Sequence, residues 1–131
     1  MQEELRKEFL GHAAETAEIL KQNGAKLFRE ESTPGLWKFK FNSMPEFFGA
    51  LNAVKHFFRT NEFKTNGEGE NHFQGVKGKS SVLFELSEQK ESSVEALLHL
   101  YAHPDVTGVE EREEFKKSLS EKIEDVLTKP Q

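Results

Sequence analysis

The residues best suited to chemistry in this sequence are two histidines four apart, His99 and His103, with Asp105 just beyond them. On a helix, and equally on a strand, that spacing puts both imidazoles on one side. Two imidazoles and a carboxylate are donors that zinc or iron accepts. His72 would join them only if its strand lay alongside. The intervening Leu-Tyr-Ala holds no glutamate to act as a general base, and Pro104 sets a turn before Asp105. The pattern therefore reads first as outward-facing histidines and only second as a metal site of His99, His103 and Asp105. No cofactor is expected.

Other patterns fall short on spacing. Gly75-Val-Lys-Gly-Lys-Ser80 has the look of a phosphate loop, but a Walker loop needs glycine where Phe73 stands. Lys38-Phe39-Lys40-Phe41 beside Trp37 interleaves rings with cations as single-strand nucleic-acid platforms do. On a strand, however, the rings and the lysines fall on opposite faces. There is no G-x-S-x-G elbow and no cysteine nucleophile. The carboxylates of Glu110, Glu111, Glu113 and Glu114 belong to a solvated helix start, and Glu85 has no obvious acidic partner. The chain reads as non-catalytic.

Composition narrows the class. With 131 residues the chain has the length of a single domain, and its 18 basic and 23 acidic residues give a net charge of −5. That balance disfavours nucleic acid and anionic membranes, which attract basic surfaces. The absence of cysteine removes disulfides and thiolate metal sites. The N-terminal MQEELRKEF lacks a signal-peptide pattern, and no apolar run reaches the ~18–20 residues of a membrane span. A cytoplasmic location is the expectation.

The elements that must position these residues follow from periodicity. Residues 2–22 form a helix, with Leu5, Phe9, Ala13, Ala17 and Leu20 at helical spacing and Asn23-Gly24 to stop it. Residues 25–31 read as a short strand, 32–35 as a turn and 36–41 as a strand with Trp37, Phe39 and Phe41 on one face. Ser43 and Glu46 make a capping box that opens a helix to about Thr60. Residues 61–69 read as a polar loop, and 70–77 with 79–86 as a hairpin about Gly78. Residues 87–92 read as a charged connection. The stretch 93–103 favours a strand, with a helix as the alternative, and Pro104 ends it. Thr107 with Glu110 is expected to cap a last helix bearing Phe115, Leu119, Ile123 and Val126, and residues 128–131 should fray.

The order is α-β-β-α-β-β-(β)-α. It predicts one α+β domain with a largely antiparallel sheet of four to five strands and helices packed on one face. In size, acidity and element order the chain is similar to small accessory proteins of adaptor, chaperone or inhibitor type.

The stretch 36–63 carries the main functional expectation. It holds the single tryptophan and seven of the twelve phenylalanines, more rings than one helix face and one strand face hide. The helix from Met44 to Thr60 is apolar on more than one side. Met44, Phe48, Leu51 and Phe57 are therefore expected to contact a protein partner or a second copy in a homodimer. The alternative is a carrier for an apolar small molecule held between sheet and helix, lined by Trp37, Phe39, Phe41, Phe58 and Phe84.

Overall fold

The computed structural model describes the backbone of residues 2–30 and 35–129. Helix α1 (Gln2–Gln22) leads into β1 (Lys26–Glu30) and β2 (Leu36–Phe41). Helix α2 (Met44–Thr60) is followed by β3 (Lys64–Gly69), β4 (His72–Lys77), β5 (Ser80–Gln89) and β6 (Val94–Tyr101). A short α3 (Pro104–Thr107) and the long α4 (Arg112–Thr128) complete the chain. The end of the first strand at Glu31 and most of the expected turn, Ser32 to Pro34, lie outside the described residues.

The strands form one antiparallel sheet in the order β1-β2-β6-β5-β4-β3. The α+β class and the layering with helices on one face hold, but among the described residues the sheet has six strands rather than four or five. Strand β6 settles the ambiguous stretch: alternate side chains Val94, Ala96, Leu98 and Leu100 face inward, opposite Phe41, Phe39 and Trp37 on β2. Tertiary pairing on both sides thus overrides the helix propensity of its glutamate, alanine and leucines.

The extra strand is β3, where a polar loop was expected. Its sequence, Lys-Thr-Asn-Gly-Glu-Gly, has no apolar alternation to announce a strand. It is an edge strand held by backbone pairing to β4, with a bulge between Thr65 and Gly67. Gly69 has a local reason: the His72 ring lies across it, 2.7 Å from where a Cβ would stand. Residues Ser87 to Gln89 likewise extend β5 rather than forming a connection, across a bulge between Leu86 and Glu88.

The last helix also starts later than the cap at Thr107 predicts. Proline at the first position and His103, whose Nδ1 accepts the Asp105 N–H at 3.1 Å, make the separate turn α3 instead. Thr107 is the buried last residue of that turn, and its hydroxyl donates to the Gly108 carbonyl. Helix α4 then begins after Glu111 without a side-chain cap. The capping box of α2 forms nearly as expected. The Glu46 N–H donates to Ser43 Oγ at 3.4 Å, while the Glu46 carboxylate accepts from the Asn42 N–H at 3.0 Å.

The core lies between the inner sheet face and the helices. Trp37, Phe39, Phe41, Phe47, Phe58, Phe73 and Phe84 are each under 2 % exposed. Helix α2 sits on β2, β4, β5 and β6, and α1 packs on α2, α3 and α4, with Phe9 and Phe115 rings 6.0 Å apart.

Candidate functional site

The sheet has helices on one side only, so alternate side chains of its strands stand on an open face. The register places them in rows. Leu36 on β2, His99 on β6, Leu83 on β5 and Gln74 on β4 form one row. Lys38, Leu97, Glu85 and His72 form the next, and Lys40, Glu95 and Glu88 a third. On the other side of the first row stand Tyr101, Ser81 and Val76. The apolar members Leu36, Leu83, Leu97 and Val76 are half-buried, although no helix packs on them.

This stripe is flanked by opposite charges, with Lys38 and Lys40 on the β2 side and Glu85 and Glu88 on the β5 side. Glu95 lies beneath the flanking side chains and is only 5 % exposed. Its carboxyl is held below the usual range first by a hydrogen bond with Glu88, against the cost of burial, and further by the charges of Lys90, Lys38 and Lys40. The Lys90 ammonium stands 3.9 Å from it.

The expected contact residues of α2 separate. Leu51 is core at 1 % exposure, and Met44 and Phe57 pack on the core's edge. The Phe57 ring meets His12 edge-on at 5.5 Å. Phe48 alone stands out, 36 % exposed beside Phe47 at 5.7 Å.

The five rings expected to line a ligand cavity are all buried, and two of them, Phe41 and Phe84, meet each other and Phe47. Phe41 meets Phe47 at 5.9 Å and Phe84 at 6.4 Å, and Phe47 stacks on Phe84 at 5.5 Å. Phe58 packs edge-on with Phe63 at 4.9 Å. The Trp37 indole N–H is buried with no hydrogen-bond acceptor among the described residues.

The metal pattern is drawn apart by the strand. At about 3.3 Å per residue, His99 and the residue four further on are ~13 Å apart, beyond the span of one ion. His103 has left the strand to cap α3, and its Nδ1 lies 3.5 Å from the Asp105 carboxylate. His72 shares the open face with His99 but is two strands away. Among the described residues no three histidine, cysteine or acidic side chains are grouped to hold a metal ion. The Gly78-Lys79 loop is a two-residue hairpin turn with glycine at φ 62°, as that turn needs, and it leads into strand β5 rather than into a helix as a phosphate loop does.

Two clefts arise that spacing alone did not announce. One of about 90 Å³ is lined by Leu5, Phe9, His12, Phe63, Ser80 and Val106, with the Glu8–Lys77 ion pair, 2.9 Å, beside it. His12 Nε2 is buried with no hydrogen-bond partner among the described residues, and Glu8 stands 3.5 Å away. Burial pushes the His12 imidazole below its ordinary value; Glu8 opposes this and Lys77 adds to it. The four-residue step from Glu8 to His12 was the available signal. The other cleft, about 250 Å³, lies between the end of β6 and α4. Leu100, Phe115 and Leu119 line it, and the Arg112 guanidinium lies 5.7 Å from the Tyr101 ring centre.

No family model matches the chain, and no curated protein and no solved structure matches it. Among the described residues no helix is long and apolar enough to cross a membrane.

Proposed function

We propose that the chain is a non-catalytic interaction protein, of adaptor, chaperone or inhibitor type, whose contact surface is the open face of the sheet. The observation that carries this reading is the stripe of Leu36, Leu83 and Leu97, flanked by lysines and glutamates, on a face that α4 reaches only at its His99–Tyr101 end. An apolar centre inside a charged rim is the anatomy of a protein contact. Phe48 with Met44 and Phe57 on α2 is the lesser surface, since a single outward ring needs no partner to explain it. The carrier alternative asks for space among Trp37, Phe39, Phe41, Phe58 and Phe84; all five are buried, and Phe41 and Phe84 pack against each other and Phe47, which favours the contact reading.

The test is Leu97→Asp. A spare surface residue tolerates the change: the variant keeps the wild-type circular dichroism and melting transition and loses the associations of the wild type in sedimentation. Leu98→Asp, one residue along and facing the core, unfolds the chain. A Leu97→Asp variant that unfolds like Leu98→Asp would show the open face to be structural and overturn the reading.

A further inference from the structure

We infer that the partner of the open face is a second copy of this chain, packed face to face about a two-fold axis running along β6. This rests on the reading of that face as the contact surface, and the register of the sheet supplies the argument. A two-fold axis lying in the interface along one strand exchanges the strands on its two sides. With β6 on the axis, β2 of each copy lies over β5 of the other.

Row by row, the two faces then match. In the first row Leu36 meets Leu83 of the second copy, and His99 meets its own symmetry mate. In the next, Leu97 meets Leu97 while Lys38 meets Glu85 of the second copy. In the third, Lys40 meets Glu88, and the two Glu95 carboxylates at the axis remain beside the lysines that already neutralise them. Each of these three pairs between β2 and β5 is thus apolar on apolar or cation on anion, and each occurs twice, as an isologous contact demands.

Other axes do not give this match. An axis along β5 sets Leu97 over His72 and His99 over Gln74. An axis between β5 and β6 sets Leu97 over Glu85 and Lys38 over His72. Sheets packed in this aligned manner lie about 10 Å apart with strands crossing near −30°, a gap that leucines fill and that lysine and glutamate side chains bridge at its margins.

The experiment is sedimentation equilibrium of the full chain over a concentration series, at low and at moderate salt. The wild type is expected to be a dimer. Lys38→Glu and Glu85→Lys each set like charges opposite one another twice per dimer, and each should weaken association by roughly tenfold or more. The double variant Lys38→Glu/Glu85→Lys restores opposite charges and should recover the dimer to within a few-fold, a recovery that a folding defect would not produce. A wild type that stays monomeric at high concentration, a dimer indifferent to the single changes, or a folded double variant without recovery would each overturn the inference. With Leu97→Asp folded, such a result removes the two-fold arrangement and leaves the open face as a surface for a different partner. With Leu97→Asp unfolded, both readings fall.

Discussion

Gly24 and Glu62 occupy the same position at the ends of two different helices, and both have a left-handed backbone, φ 85° and 71°. Beyond α1, the Ala25 N–H donates to the Leu20 carbonyl at 2.9 Å and the Gly24 N–H to Lys21 at 3.0 Å. Beyond α2, the Phe63 N–H donates to Phe58 at 2.9 Å and the Glu62 N–H to Arg59 at 3.2 Å. The two ends are one motif, the paired closure that glycine favours because it lacks a Cβ. At α2 the position is held by glutamate, the only residue other than glycine with positive φ among those described.

Glu62→Gly should therefore stabilise the fold, by about 0.5–1 kcal/mol once glycine's extra chain entropy is offset. The weak, exposed contact of Glu62 with Lys77 at 3.8 Å is little to lose. The converse change, Gly24→Ala, should destabilise by more than about 1 kcal/mol, because its Cβ would stand 2.3 Å from Glu46 Oε2 and disturb the cap of α2. Urea denaturation of both variants checks this; a neutral or harmful Glu62→Gly would show that the left-handed turn carries no strain.

Adjacent rings on α2 should behave in opposite ways. Phe47 is fully buried and stacked on Phe84, so Phe47→Ala should cost roughly 3–5 kcal/mol. Phe48, more than a third exposed, should cost under about 1 kcal/mol. Equal losses would mean that Phe48 is part of the core.

Acid should weaken the fold in a window set by histidine. Burial holds both His12 and His99 below the ordinary value of 6.5, so the unfolded chain binds more protons than the folded one as pH falls past that value. Their contribution is whole above about pH 6.5 and is lost as pH falls through the lower folded values. Glu8, held low first by its hydrogen bond with Lys77, adds a separate loss below 4.5. Urea midpoints measured from pH 8 to 5 should decline for the wild type and decline less for His12→Leu. A variant that declines as steeply would place the acid sensitivity elsewhere.

Strand β3 depends on a charged clamp rather than on burial. Glu68 accepts from Lys55 at 3.0 Å and Arg59 at 2.6 Å, both on α2, and Arg59 Nε donates to Thr65 at 2.9 Å. Glu68→Gln should leave the global melting transition nearly unchanged but speed amide exchange across residues 64–69, as local opening of a poorly buried edge does. Unchanged exchange there would show that backbone pairing to β4 suffices.

Where apolar residues set a period, the sequence was a good guide to the fold. The α1 stripe from Phe9 to Leu20, the α2 stripe, the alternation of β2 and the Ser43–Glu46 cap all stand close to where they were read, whereas Leu5 at the start of the α1 stripe is exposed. Strand β3 was hidden because its determinants are not its own: Gly69 answers to His72 on the next strand, and Glu68 answers to α2. The start of α4 misled because Thr107 and Glu110 form a sound local cap signal, overridden by a turn that His103 and Pro104 build first. The open face left a trace that periodicity alone could not interpret. Leu97-Leu98 on β6 and Leu83-Phe84 on β5 put apolar groups on both sides of a strand, and only the strand order shows which side meets no helix.

The placement of β6 between β2 and β5 bears on how the chain comes off the ribosome. Strand β2, with Trp37, Phe39 and Phe41 along one side, is made early, but one of its two neighbours, β6, is the last strand to be made, after α2, β3, β4 and β5. Until β6 emerges, the first hairpin has an unpaired edge and the aromatic side of β2 is incompletely covered. Closure across so much chain is slow compared with helix formation, and exposed edges of this kind invite wrong pairings. Slow translation between β2 and β6 would lengthen that exposure, and a chain truncated before Val94 is expected to aggregate rather than to fold as a shorter domain.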